Sequence, residues 1–253
     1  MKHIVMNPQI VPVVQIDSDL PALPADILTL NFLRASFKKP PLNWEAVPNE
    51  QPLIVAGQAV RKAAVLMPLV RNRLLTTEFD HPDAAGFSIL LMQRSMSLQD
   101  HPGQISLPGG KAEEGDLDSI ETALRETHEE IGIAPEQVEV LGVMPEYTSI
   151  SGFDITPVVG VVQKIESLTL CRNEVMATFT VPLSFLMDPA NHRWHLYRTQ
   201  TENGQEVTRR WLSMEYVKDG KSYYIWGITA AIIRNFYLYL QAYRRDLCGS
   251  HRL

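Results

Sequence analysis

The chain has 253 residues, 45% of them hydrophobic, and a formal net charge of −6. That length buries one sizeable core without requiring a second domain, and the acidic balance argues against non-specific nucleic-acid binding, which draws on a basic face. The two cysteines, Cys171 and Cys248, stand far apart and without zinc-type spacing, which excludes a disulfide framework and suits a reducing compartment.

The first residues are broken by Asn7 and Pro8 and lack the apolar run and cleavage site of a signal peptide. Residues 1–24 hold four prolines together with Asp17 and Asp19, which predicts an irregular, flexible extension. The apolar pairs Ile10-Val11 and Val13-Val14 still allow a short edge strand. Residues 25–37 carry Ile27, Leu28, Leu30, Phe32 and Leu33 and suit a short helix before Pro40 and Pro41. Residues 38–55, with Pro48 and Pro52 as well, read as a connector. The expected division is therefore an extension and connector over 1–55, a main domain over 56–247 and a tail over 248–253.

Residues 62–70 and 87–93 are compact apolar runs and predict core strands, with 71–86 as a hairpin loop between them. Arg94 follows the second strand. It reads either as half of a surface ion pair or as a phosphate contact, since a guanidinium matches phosphate geometry. In the loop 101–110, Gly103 and Gly109 let backbone approach a ligand closely. His101 reads as a binding or packing residue in preference to a general acid. Gln104 and Ser106 donate and accept without charge, which suits an amide-rich or phosphate-rich ligand or, equally, a loop held in shape.

Residues 119–131 have the period of a helix. Ile120, Leu124, Thr127 and Ile131 form its apolar stripe, Asp118 or Ser119 can cap its start, and Gly132 can end it in a left-handed turn. Glu126, Glu129 and Glu130 stand at i, i+3 and i+4, with Cβ atoms about 5–6 Å apart on one face. Residues 100–130 hold nine carboxylates against Lys111 and Arg125. Carboxylates that close repel unless a cation lies among them, and hard oxygen ligands of this kind suit Mg²⁺ or Mn²⁺.

Further on, 138–144, 155–162 and 176–181 predict strands, and 182–187 a short helix. Glu174 is a carboxylate near a strand start that either reaches the glutamate cluster or sits in solvent. Residues 192–212 predict a hairpin around 202–205. Arg193, His195, Arg198, Arg209 and Arg210 cluster there, as an outer strand face, an anion site or the interface of a homodimer. A closing helix is expected over 224–247, with Trp226, Ile228, Ile232, Ile233, Phe236 and Leu240 as its buried stripe. Its apolar run is interrupted by Arg234 and Asn235, so no membrane span is expected.

Gly110, Asp116 and the run Arg125-Glu126-Thr127-His128-Glu129-Glu130-Ile131-Gly132-Ile133 resemble the Nudix box, the signature of hydrolases of nucleoside diphosphates linked to another group. Asp116 stands where Glu is usual, one extra residue precedes Arg125, and Thr127 occupies an apolar position. Upstream, residues 90–94, Leu98 and 101–110 resemble the motif of the coenzyme A pyrophosphatase branch, which shares the insertion and the Asp. Looser similarity extends over 151–160 and 226–233. The resemblance implies an α/β/α sandwich with a mixed central sheet, to which the chain adds an N-terminal extension and a C-terminal helix. It implies Mg²⁺ or Mn²⁺ held by Glu126, Glu129, Glu130 and the Gly110 carbonyl, with Glu129 or Glu174 as base and Arg125 fixing the glutamates. Substrate contacts would come from Arg94, His101, Gly103, Gln104 and Ser106. The implied protein is a cytoplasmic hydrolase of coenzyme A or acyl-CoA. Two alternatives stay open: an enzyme for ADP-ribose or a dinucleotide, and a binding module without turnover.

Overall fold

The computed structural model describes residues 7–49, 60–72, 86–165, 167–200 and 206–249. The predicted 71–86 loop and the 202–205 hairpin tip fall almost entirely outside these residues. The strands are β1 (Val13–Ile16), β2 (Arg61–Arg71), β3 (Phe87–Arg94), β4 (Ile105–Ser106), β5 (Gly109–Lys111), β6 (Val138–Val143), β7 (Tyr147–Thr148), β8 (Phe153–Val162), β9 (Val175–Pro182), β10 (Arg193–Gln200), β11 (Glu206–Lys218) and β12 (Lys221–Trp226). The helices are α1 (Leu30–Lys38), α2 (Ser119–Ile131), α3 (Leu183–Leu186) and α4 (Ile228–Gly249).

β2 and β8 run parallel from Arg61↔Phe153 to Val70↔Val162 at the centre of an eight-stranded mixed sheet. β3, β5, β6 and β7 join antiparallel, and β9 lies outside β3. Side chains alternate between the faces of a strand, and this alternation builds the layers. Ala64, Leu66 and Val158 face Ala123 of α2. Met67, Leu69, Ile89, Leu91, Val159 and Val161 face the opposite way, toward α1, α3 and α4. The architecture is an α/β/α sandwich with a mixed central sheet, the Nudix fold that the sequence resemblance implies. A second, antiparallel sheet in the order β1-β10-β11-β12 flanks it.

Three expectations change. Residues 7–24 are not a loose extension: β1 pairs with β10, and Leu23 is buried in the same apolar cluster as Leu28, Leu33 and Phe236. The closing helix starts at Ile228, because 221–226 pairs in register with β11 and Gly227 turns the chain at φ 61°. Trp226 is therefore a strand residue, although Ile232, Ile233, Phe236 and Leu240 are buried on α4 as expected. The basic cluster of the hairpin divides between two faces. Arg193, His195 and Arg209 share one, Arg198 and Arg210 the other. His195 is buried between the Val11 carbonyl and the Ser213 hydroxyl, at 2.8 Å from each.

A buried polar chain ties β1 to α4. Arg234 Nη2 lies 2.8 Å from Asp17 Oδ2, which also accepts from Trp194 Nε1 at 2.9 Å. Arg234 Nη1 donates to His192 Nδ1 at 2.9 Å. His192 Nε2 must then carry the proton and donates to the Leu186 carbonyl at 2.8 Å. Burial first, and Arg234 second, hold the His192 imidazole down at about 4. Between that value and an unfolded value of about 6.5 the unfolded chain binds the extra proton. This group's stabilisation is thus complete above about pH 6.5 and falls by about 3 kcal/mol as pH drops toward 4. In His192→Gln the amide can replace both hydrogen bonds without titrating. Denaturant unfolding between about pH 7 and about pH 4.5 should show a shallower loss in the variant; equal slopes would exclude His192 as the cause.

Candidate active site

α2 begins where Asp118 accepts from the amides of Ile120 and Glu121, each at 2.9 Å, a cap typically worth about 1 kcal/mol. It ends at Gly132, whose φ of 77° is the left-handed turn expected there. The buried face is rotated from the predicted stripe. Thr122, Ala123, Thr127, Glu130 and Ile131 are buried, while Ile120 and Leu124 are only partly so. Small residues face the sheet, so the helix sits close to β2, and one carboxylate goes under with them. Glu130 is 2% exposed, not part of an outer acidic face.

Gly109 donates to Glu130 Oε2 at 2.8 Å. A side chain at Gly110 would put its Cβ 2.5 Å from the Glu126 carboxylate, so Gly110 leaves the space in which Glu126 meets the β5 backbone. Burial, above all, pushes Glu130 up to about 8, and the charges of Glu126 and Glu174 add to the shift. The Gly109 amide and Arg94 oppose it. Burial likewise raises Glu126, against the pull of Arg125. Arg94 shares the strand face of Leu90 and Met92, and Ser106 pairs with Met92, so both belong to the α2 side. Arg94 Nε and Ser106 Oγ are buried without a hydrogen-bond partner among the described residues. Glu174, in the turn before β9, faces the same cluster through its charge.

Asp116 is the residue that sequence reasoning undervalued. It accepts from Arg125 Nε at 2.9 Å and Nη2 at 3.0 Å, and from Thr122 Oγ1 at 2.8 Å. The Lys111 carbonyl takes a further Arg125 bond at 3.0 Å. With its fork fixed there, Arg125 turns Nη1 to Glu126 at 3.2 Å and to Glu129 at 3.3 Å. The Arg125 guanidinium, chiefly, holds the Asp116 carboxyl well below the usual carboxylate range. The Asp-x-x-x-x-x-Thr spacing into the helix start was the available signal: it lets one carboxylate serve both the first turn and the arginine a turn later.

Among the described residues no three acidic, histidine or cysteine groups already converge at coordinating distance. Arg125 instead draws Glu126 and Glu129 to itself. The donor set nevertheless fits a hard divalent cation. Among the described residues, the guanidinium of Arg125 meets Glu126 and Glu129 and that of Arg94 acts on Glu130, and Arg125 is already paired with Asp116. Of the remaining expected residues, His101, Gly103 and Gln104 lie elsewhere, lining a groove on the α4 side.

Such a box of glutamates on a capped helix, seated on a mixed sheet through a Gly-Gly strand, is the arrangement that the sequence resemblance implies for a hydrolase of diphosphate bonds. The family model of the NUDIX domain matches residues 82–223. The protein called "Uncharacterized Nudix hydrolase NudL" in an Enterobacter species is 38% identical over 178 residues, which is 70% of this chain and 82% of that one. Its namesake in an Escherichia coli strain is 34% identical over 214 residues, 83% of this chain and 94% of that one. The crystal structure of a C. elegans Ap4A hydrolase binary complex aligns at 20% identity over 48% of this chain and 80% of its own, with a TM-score of 0.38. The chain belongs to the Nudix hydrolase family. No described helix is long and apolar enough to cross a membrane.

Removing the Asp116 carboxylate leaves Arg125 half-buried with its main partner gone. Asp116→Ala should cost about 1–3 kcal/mol, discounted from the range for fully buried pairs because Arg125 keeps some solvent. Thermal unfolding measures this; a melting temperature equal to wild type would mean that the Lys111 carbonyl, Glu126 and Glu129 hold Arg125 without Asp116.

Proposed function

We propose that the protein is a coenzyme A pyrophosphatase. Coenzyme A would yield 3′,5′-ADP and 4′-phosphopantetheine, and an acyl-CoA the acyl-phosphopantetheine. The observation that carries the hydrolytic part is Glu130, buried beside Glu126 and Glu174 with too little positive charge around it. The substrate assignment rests on the 90–110 motif, whose Arg94 and Ser106 present unpartnered buried groups on the same side.

Glu126, Glu129, Glu130 and the Gly110 carbonyl would hold Mg²⁺ or Mn²⁺, which when bound neutralises diphosphate oxygens and favours attack by water. Arg125 positions Glu126 and Glu129 rather than reacting, since Asp116 fixes its fork. Glu129 is exposed and Glu174 faces the cluster, so each can take a proton from an attacking water. Arg94 supplies a donor toward phosphate. No side chain is required to form a covalent intermediate. The two free cysteines agree with a cytoplasmic site of action.

Mass spectrometry of products from coenzyme A, acetyl-CoA, ADP-ribose and NADH, with Mg²⁺ or Mn²⁺ and with a chelator, tests the assignment. Chelator-sensitive 3′,5′-ADP from coenzyme A is the expected result. AMP from ADP-ribose with coenzyme A untouched would overturn the substrate class but not the chemistry. Glu129→Gln should lose about a hundredfold or more in turnover at an unchanged melting temperature. Near-normal turnover would pass the role of base to Glu174.

A further inference from the structure

Where β2 begins, the sheet face turned away from α2 carries charge of the opposite sign to the glutamates. Arg61 opens β2 and pairs with Phe153 of β8. Lys111 ends β5 and pairs with Ala63. Cross-strand partners share a face, and Arg61 alternates with Ala63 along β2. The Arg61 guanidinium lies over the Phe153 ring, 3.8 Å from its centroid, and the Lys111 ammonium stands 6.0 Å from the same centroid. The Ser151 carbonyl steadies Arg61, accepting from Nη2 at 3.2 Å. Both cations are exposed. The next residue, Lys62, points to the other face and is paired with Glu146 and Asp154. Neither Arg61 nor Lys111 has a carboxylate partner among the described residues.

A ring face attracts a cation, but gathering a second cation beside the first costs Coulomb repulsion. In a chain of net charge −6 a carboxylate could have relieved it. A phosphate dianion relieves it as well, and guanidinium and ammonium are the two side-chain groups that take phosphate. The pair also adjoins the glutamates. The Lys111 carbonyl accepts from Arg125 Nη2 at 3.0 Å, and Arg125 Nη1 reaches Glu129 at 3.3 Å. Among the described strands β5 pairs with β2 alone, so no strand closes its other edge. The Glu129 side chain is 57% exposed and Lys111 is exposed too. A ligand spanning the two lies on the surface around the end of β5 and does not cross the sheet. One arginine and one lysine side chain set that span, which is the scale of a nucleotide.

We propose that Arg61 and Lys111, seated at Phe153, bind a phosphate monoester of the substrate that is not itself cleaved, and so select a nucleotide that carries one. The proposal rests on the coenzyme A reading for the identity of that group, the 3′-phosphate, and on the two cations for its chemistry. 3′,5′-ADP and AMP differ only in this phosphate. In calorimetric titrations of the full-length protein, 3′,5′-ADP should bind about tenfold tighter than AMP, or more. In Arg61→Gln combined with Lys111→Gln the two ligands should bind within about twofold of each other, with AMP unaffected. Both side chains are exposed, so an unchanged melting temperature is expected. Lys111→Arg should keep the preference. Equal affinities in wild type, or no binding of 3′,5′-ADP, would overturn the proposal. So would a preference that survives in the double variant, or an equal loss for both ligands, which a merely structural role would give. Turnover of coenzyme A and of dephospho-coenzyme A separates this site from the reaction. The kcat/KM ratio of the two should fall about tenfold in the double variant, through coenzyme A alone. Phosphate-selective binding without turnover of either would sink the enzymatic reading alone; turnover with that ratio unmoved would sink the Arg61 and Lys111 site alone.

Discussion

Four carboxylates crowd the α2 end of this fold, and among the described residues the guanidiniums of Arg94 and Arg125 act on them. Arg125 is not free to neutralise the cluster, because Asp116 and the Lys111 carbonyl hold most of its fork. What remains is a directed Nη1 that orders Glu126 and Glu129 while leaving Glu130 under-compensated. A helix designed for stability alone would put an alanine or leucine where Glu130 is. The Gly109 amide, held where β5 pairs with β2, and the charge of Arg94 offset part of the cost of the buried acid.

The same closeness explains the choice of small residues. Ala64, Ala123 and Gly110 let helix and sheet approach until a carboxylate and a backbone strand touch. Larger side chains would bury more apolar surface and would gain roughly 0.8 kcal/mol per methylene, but they would lift Glu126 and Glu130 away from β5. Packing here is subordinate to the placement of oxygen atoms. The large apolar contribution is made on the other face of the sheet, by Leu33, Leu69, Leu91, Phe236 and Leu240.

How much of this was legible follows from which signals are local. The caps of α2, Asp118 and Gly132, were readable because capping depends on residues within one turn. The runs 62–70, 87–93 and 155–162 were readable because central strands are apolar on both faces. β12 was not: Tyr223, Tyr224 and Trp226 are apolar enough to extend the stripe of α4, and only pairing with β11 shows them to be a strand. Glu130 could not be placed by composition, since the period that puts three glutamates on one face does not say which of them turns inward. The division of the upstream motif between two faces was available in principle. Strand alternation already sets Arg94 apart from Gln93, but a motif read as a string hides it.

The family match and the groove on the α4 side draw on different parts of the chain. The NUDIX match begins at residue 82 and ends at residue 223. It contains every glutamate of the cluster, Asp116 and Arg125. The groove on the α4 side takes residues 7–9, Tyr224 and Trp226 from outside that range. The chain segment that builds β1 is locked to α4 through Asp17, Arg234 and His192, and Tyr224 donates to the Pro8 carbonyl at 3.2 Å. The flanks are thus fastened to each other and to the core. A box of glutamates therefore specifies which kind of bond is broken. The walls supplied by the flanks are invisible to a motif confined to the middle of the chain.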